Sequence, residues 1–531
     1  MRAMVSAPQP EAVEAGLDIL TQGGNVIDAA IGAALVQTAV DPLMCGLAGF
    51  GSCHVHLADG THTLVDFHGR APRATTPDMW ESRIVRECDD GFGFVLSDRA
   101  NEIGHQCMTS PMTLRAFEQI LGRWGTRSLA ASLAPAIAHI EEGVLVRPAM
   151  NAFWTRPETA GRIDGSARVM RNPAAAKIYA PGGTPLKVGE TLRNPDLART
   201  YRRIAEEGTD VFYAGEIADA MIDDIQAHGG LLAHEDLSAA PVDTPPIWVD
   251  YRGYRVATNQ PPGGGLVIAV MLRILERFDL AGMGHNSPDY VATVSEAMKI
   301  ATVEKDTRMG DPAFVDVPVD DMLSDAYADR MAERIRRGEK TPVPRMAATG
   351  EPKETTHICV ADRDGNVVTM THTLGSSSGS VTDGLGFMYN NAMMVFDPRP
   401  GRPGSLAPGK ARFSALSPTI VFKGDKPFLA LGAPGGTTIT MGNLQVILNA
   451  VDFGMSAAEA VSAPRFTTTS ETIEVTNRIF RGTERELQSR GYPTRRVPYS
   501  YFTPIVQAIR MVDGHLDGGA DPSGDGMAAG I

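Results

Sequence analysis

Apolar positions in the first forty residues recur at helical spacing. Val13, Leu17 and Leu20 fall at i, i+4 and i+7, which marks one face of a helix. Gly23-Gly24-Asn25 breaks the pattern, and it resumes at Val26. In the second segment, DAAIGAALVQTAV, Ala29, Ala30, Ala33 and Ala34 crowd together; side chains this small predict a helix that approaches its neighbour closely. CGLAGFGSCHVHLADG reads as a glycine-rich turn feeding a strand. From about residue 110 to 340 the pattern is mostly helical, with turns at Pro181-Gly182-Gly183 and at Pro261 to Gly265. LVIAVMLRILERF, after Gly265, predicts an amphipathic helix. Residues 338–354 are polar, rich in proline and glycine and without apolar period, as in a linker or exposed loop. The pattern then changes. Residues 355–374 alternate and are β-branched, with Asp364-Gly365 as a hairpin turn, and TIVF, FLALGA, IEV and QAIRMV continue the strand character. A helix-rich first two thirds thus precedes a strand-rich last third, with no internal repeat.

At roughly 150 residues per domain, 531 residues make three or four domains or one large interlocked one. Hydrophobic residues at 43% and charged residues at 21% are ordinary for a folded soluble chain. A net charge of −14 repels phosphate backbones and argues against a nucleic-acid partner. The longest apolar helix candidate, Ile27 to Val40, spans about 14 residues where a bilayer needs roughly 20, so no membrane partner is expected. The first residues carry no apolar leader segment, and the expected location is cytoplasmic. Cys45, Cys53, Cys88, Cys107 and Cys359 are odd in number and scattered, which predicts neither a disulfide framework nor a zinc site. No metal or cofactor is expected.

Four features could carry chemistry. Gly375-Ser376-Ser377-Ser378-Gly379 matches the GxSxG serine elbow, but SVTDGLGFMYNN after it cannot start a helix promptly, so a polar turn is the better reading. His54 and His56 point the same way on a strand, with no third metal ligand at sensible spacing. The loops 261–265 and 432–436 lack nucleotide-binding signatures, although the turn before Gly435 and Gly436 can aim peptide N–H groups at an anion. The sharpest feature is the seam where the linker ends at Glu354 and a strand opens at Thr355-Thr356-His357. Cutting there would give Thr355 a free α-amine beside its hydroxyl. With a pKa near ~8, that amine is a base that needs no histidine.

AGLDILTQGGNVIDAAIGAAL and VDPLMCGLAGFGS, then GTDVFYAGEIADAM, YRGYRVATNQPPGGG and RMGDPAFVDVPV, follow one another in order. TTHICVADRDGNVVTMTHTLGSSSGS, LGFMYNN, SPTIVF and GAPGGTTIT complete the series. With these motifs the chain resembles the γ-glutamyltransferase family of N-terminal-nucleophile hydrolases over nearly its whole length. The resemblance implies an α+β fold, a four-layer αββα sandwich. It implies a nucleophile at Thr355, a second threonine hydrogen-bonded to it at Thr373, and oxyanion glycines at Gly435 and Gly436. It also implies autocleavage between Glu354 and Thr355. The products would be a large fragment 1–354 and a small fragment 355–531 that stay together as one interlocked domain; association into oligomers stays open.

The departures from the family pattern fall on the substrate pocket. DFHGRAP puts His68 at the family's substrate arginine and shifts an arginine to Arg70. Gly375 stands for an asparagine, Ala392 and Val395 for polar or acidic groups in the NNAMMVF box, and Ala415 for a serine beside Ser414. A γ-glutamyl group carries an α-carboxylate and an α-ammonium, and each needs a partner once out of water. The expectation is therefore an amidohydrolase acting on a small-molecule amide whose acyl group is not γ-glutamyl: a small acidic acyl such as oxamate held by Arg70, or an uncharged one. The alternatives are a γ-glutamyltransferase with a rewired pocket and a non-catalytic relative that keeps only the fold.

Overall fold

The computed structural model describes residues 1–89, 93–157, 160–343, 355–501 and 504–531. Glu354, and with it the expected cleavage bond, lies outside the described residues.

The first two helices form as the apolar pattern predicts, at Pro10–Thr21 and Val26–Val40. Asn25 caps the second: its side chain accepts from the backbone of Ile27 and Asp28 while Asp28 reaches back to the Asn25 N–H. Every residue of Val26–Val40 is buried. The small residues permit this packing, since a Cβ on Gly32 would stand 2.2 Å from Ile19 Cδ1 on the neighbouring helix. On Pro10–Thr21 the buried face runs through Val13, Gly16 and Leu20, with Leu17 at its margin.

These helices cover one face of a seven-stranded antiparallel sheet. Its order is Met527–Gly530, Ala3–Ala7, Thr356–Asp362, Val367–Thr373, Phe50–His56, His62–Phe67 and Val242–Thr244. Its other face packs on a six-stranded antiparallel sheet ordered His515–Ala520, Gln507–Val512, Lys426–Gly432, Thr419–Lys423, Tyr254–Thr258 and Ile247–Tyr251. Met4, Cys359, Ala361, Ile420, Phe422 and Ile509 fill the space between the sheets. Helices Gly265–Leu275 and Ile439–Val451 close the far side, which completes an αββα sandwich.

The helix after Gly265 departs from its predicted amphipathic character. All its residues except Arg273 are buried, because it lies between the second sheet and further helices instead of at the surface. The helical middle third also lends three strands, at 242–258, to the two sheets. All five cysteines are buried. Among the described residues no helix is long and apolar enough to cross a membrane.

Two histidines sit in the middle of the first sheet. His357 lies with Nδ1 2.8 Å from Thr371 Oγ1 and Nε2 2.8 Å from Thr369 Oγ1; His372 donates from Nε2 to Gln37 Oε1 at 2.9 Å. Burial, with the neighbouring His372 adding to it for His357, pushes both pKa values down to about 3. The unfolded chain protonates these rings near pH 6.5 and the folded chain does not, so stability falls as pH drops from 6.5 toward 3. The loss is about 1 kcal/mol per histidine per pH unit. Melting temperature measured from pH 7 to 4.5 should decline steadily, and His372→Gln, which keeps a donor without the titration, should flatten the decline; an unchanged slope in the variant would count against this origin.

Candidate active site

Thr355 stands immediately before the Thr356–Asp362 strand, and Thr373 ends the antiparallel strand beside it. The register pairs Thr356 with His372, which carries the next residues, Thr355 and Thr373, to the same sheet edge. The Thr355 hydroxyl donates to Thr373 Oγ1 at 3.1 Å, and the Gly375 N–H donates to the same oxygen at 2.9 Å. Gly375 turns the chain at φ +74°, where a Cβ would stand 2.6 Å from Asn391 Oδ1. That Asn391 oxygen also accepts the Ser376 N–H, at 2.5 Å. The GxSxG segment is thus a turn with no helix after it, and its first two residues face the nucleophile candidate.

Thr355 opens onto a narrow cavity of about 30 Å³. Gly375, Ser376 and Asn391 form one side; Met394, Val395, Leu416 and Ile439 make an apolar wall; Ser414, Ala415, Gly436 and Arg412 complete it. Among the described residues lining the cavity, Arg412 carries the only formal charge. It is largely buried, with its guanidinium carbon 5.1 Å from the centre of the Phe50 ring. A wider groove of about 510 Å³ adjoins and shares Val395 and Ala415 with the inner cavity.

Gly435 and Gly436 occupy the turn between the Lys426–Gly432 strand and the Ile439–Val451 helix. Their φ values, +150° and +59°, suit glycine, and a Cβ on Gly435 would stand 2.6 Å from Pro504 Cβ. Gly436 lines the cavity, and its neighbour Gly435 does not. The short helical turn Gly436–Thr438 leads directly into Ile439–Val451, so the positive end of a helix faces the cavity.

The remaining expected pocket residues are placed differently. Ala392 is buried in the core around the second sheet and does not line the cavity. Arg70 is held away from it: Nη1 pairs with Asp311 Oδ2 at 2.9 Å, and Asp311 also accepts the Ala411 N–H at 2.8 Å. His68 reaches the cavity indirectly, through Nε2 at 2.5 Å from Ser414 Oγ, while its Nδ1 faces the Asp66 carboxylate. Burial pushes the Asp66 carboxyl up, but the charge and hydrogen bonds of His68 and the charge of Arg70 outweigh it and hold the carboxyl below its usual range.

Sequence reasoning missed Arg412, Asn391 and the role of the PPGGG loop. The loop scaffolds the wall: Ser414 N–H donates to Pro262 O at 2.8 Å, and Gly264 N–H to Leu416 O at 2.8 Å. A Cβ on Gly264 would stand 2.6 Å from Ala415 O, so glycine is required there. Arg412 sits two residues before Ser414 in KARFSALSP, a spacing that could have drawn attention to it. His54 and His56 pack with His62, Trp248 and Phe422 in an aromatic cluster that runs from the buried His54 and Phe422 to the exposed Trp248.

The sequence model of the family described as gamma-glutamyltranspeptidase matches residues 12–531. Acylase ACY 1 proenzyme of Pseudomonas sp. (strain V22) is 37% identical over 100% of this chain and 94% of its own. Glutathione hydrolase proenzyme of Bacillus subtilis (strain 168) is 32% identical over 99% of this chain and 91% of its own. The solved structure of cephalosporin acylase from Bacillus halodurans superposes with a TM-score of 0.88 at 31% identity, covering 99% of this chain and 95% of that one. A strand edge that brings Thr355 and Thr373 together in an αββα sandwich, with this whole-length agreement, places the chain in the gamma-glutamyltranspeptidase family of N-terminal-nucleophile hydrolases.

Proposed function

We propose that this chain is a self-cleaving acylase that removes a small carboxylate-bearing acyl group from an amine, with Thr355 as nucleophile and Arg412 as carboxylate anchor. The observation that carries the reading is the cavity beside Thr355, with Arg412 as its one formal charge, an apolar wall and no carboxylate among its described lining residues. Similarity to proteins named acylase and proenzyme supports it.

In processing, the Thr355 hydroxyl attacks the Glu354 carbonyl, the peptide rearranges to an ester, and water releases fragments 1–354 and 355–531. The freed α-amine then takes the hydroxyl proton as Thr355 attacks the substrate amide, and Thr373 orients the hydroxyl across the 3.1 Å contact. Gly435 and Gly436 at the helix start favour the oxyanion. The amine departs through the adjoining groove, and water hydrolyses the acyl-enzyme. Arg412 pairs with the acyl carboxylate, a contact strengthened by charge and by burial. The methylene stem lies on Met394, Val395 and Leu416. A γ-glutamyl group would bring an ammonium that meets no carboxylate there, and that arrangement disfavours it.

Thr355→Ala should remain one full-length chain on a denaturing gel and be inactive; two fragments from it would sink the nucleophile assignment. Thr373→Val keeps the shape and removes the hydroxyl, so turnover should fall about ten-fold or more, ~1.4 kcal/mol. Unchanged turnover would return Thr373 to packing alone.

Specificity is tested by comparing glutaryl and γ-glutamyl anilides, which differ only in the α-ammonium. The glutaryl compound should be turned over at least ten-fold better by kcat/KM, because an unpaired buried ammonium costs roughly 1–3 kcal/mol. Arg412→Met should remove most of the glutaryl activity and spare an uncharged butyryl anilide. Preference for the γ-glutamyl anilide would overturn the acyl assignment while leaving Thr355 in place.

A further inference from the structure

Away from the cavity, a loop and a helix end bring together three residues that lie far apart in the sequence. His105 follows Gly104 in a loop; Asp224 lies in the last turn of the Glu216–Ala227 helix, and His228 caps it. One ligand atom from each lies within 4.8 Å of the other two. His105 Nε2 is 3.6 Å from Asp224 Oδ2, and His228 Nδ1 is 3.1 Å from Asp224 Oδ1. The imidazoles stack at 4.7 Å between centroids with planes 16° apart.

We propose that His105, Asp224 and His228 form a binding site for a borderline divalent transition-metal ion such as Zn²⁺. Two imidazoles and one carboxylate are a donor set suited to that ion. The edge between ligand atoms around a tetrahedral zinc is roughly 3.3 Å for arms of about 2.05 Å, close to both contacts to Asp224. An independent observation points to a ligand: the His105 side chain is only 9% exposed, faces the carboxylate, and its Nε2 has no hydrogen-bond partner. A neutral imidazole nitrogen left so is a lone pair or an N–H without use, and a metal supplies the missing partner.

The carboxylate is already oriented from behind. Thr382 Oγ1 donates to Asp224 Oδ2 at 2.6 Å and is itself 2.7 Å from the Tyr389 hydroxyl. Such outer hydrogen bonds fix a ligating carboxylate. His228 is the adjustable ligand: it is 57% exposed, and its Nδ1 also lies 2.8 Å from the Asp224 carbonyl. A metal there leaves an open position to solvent and exchanges readily.

The location gives the site a consequence. Gly104 N–H donates to Ser378 O, and Ser378 N–H to Tyr389 O, each at 2.9 Å. Thr382 and Tyr389 therefore connect the site to the 375–391 segment that supplies Gly375, Ser376 and Asn391 to the cavity. Metal binding ties the loop at His105 to the end of the Glu216–Ala227 helix, and the Thr382 and Gly104 hydrogen bonds pass that restraint on to the 375–391 segment.

The test titrates chelator-treated full-length protein with Zn²⁺ by calorimetry and with Co²⁺ by visible absorption. One equivalent should bind at micromolar metal, Co²⁺ should give a four- or five-coordinate ligand-field spectrum, and the melting temperature should rise by several degrees. His228→Ala, at an exposed position that does not hold the fold, should weaken binding about ten-fold or more and cancel most of the thermal shift; His105→Ala should abolish both. Absence of stoichiometric binding, or binding and thermal shift unchanged in His228→Ala, would overturn the site.

Discussion

One strand register governs this molecule. Because Thr356 pairs with His372, the residues that follow at the sheet edge are Thr355 and Thr373, and their hydroxyls meet at 3.1 Å. A slip of one residue would turn every side chain of the strand to the other face and separate them. The alternation of β-branched residues cannot by itself pin the register in a strand buried on both sides. Polar contacts from the helix layer do so. Gln37 Nε2 donates to Gln9 Oε1 at 2.7 Å and to Thr356 Oγ1 at 2.8 Å, and Gln37 Oε1 accepts from His372 at 2.9 Å. These groups are fully buried, so a shifted register would leave several without partners at roughly 1–3 kcal/mol each.

The same logic shapes the cavity. It is lined by segments between Thr355 and Ile439, held by hydrogen bonds: the 375–391 turn through the Asn391 side chain and the 414–416 wall through Pro262 and Gly264, with the helix start at Gly436 beside them. Rigid supports leave little freedom for charges to rearrange. Arg70 is tied to Asp311 and His68 to Asp66 and Ser414, and the described residues lining the cavity carry one cationic side chain, Arg412, with several hydroxyls and amides. In the proposed reading, selectivity against an ammonium comes as much from the lack of a carboxylate among the described lining residues as from Arg412.

Much of this was legible in the chain. The helix pair and its Asn25 break, the hairpin through Asp364-Gly365 and the strand-rich last third followed from apolar period and turn chemistry. The motifs carried the family, and the four layers came with it. The helix after Gly265 was legible as a helix but not as a fully buried one, because a run flanked by Arg273, Glu276 and Arg277 looks one-sided until further elements cover it. The pocket was legible only in part. Thr355, Thr373 and Gly436 are spaced by local motifs; Arg70 was the expected cation and Arg412 was missed, since Asp311, which holds Arg70, lies 241 residues from it.

The sequence by itself determined the elements, the nucleophile candidate and the family, because local propensity and motif order are properties of neighbouring residues. Only the tertiary structure decided which charge lines the cavity beside Thr355, which glycines scaffold its wall and which histidines meet a carboxylate. Those outcomes depend on distances of a few ångströms between residues hundreds of positions apart, and electrostatic and hydrogen-bond energies change sharply over that range.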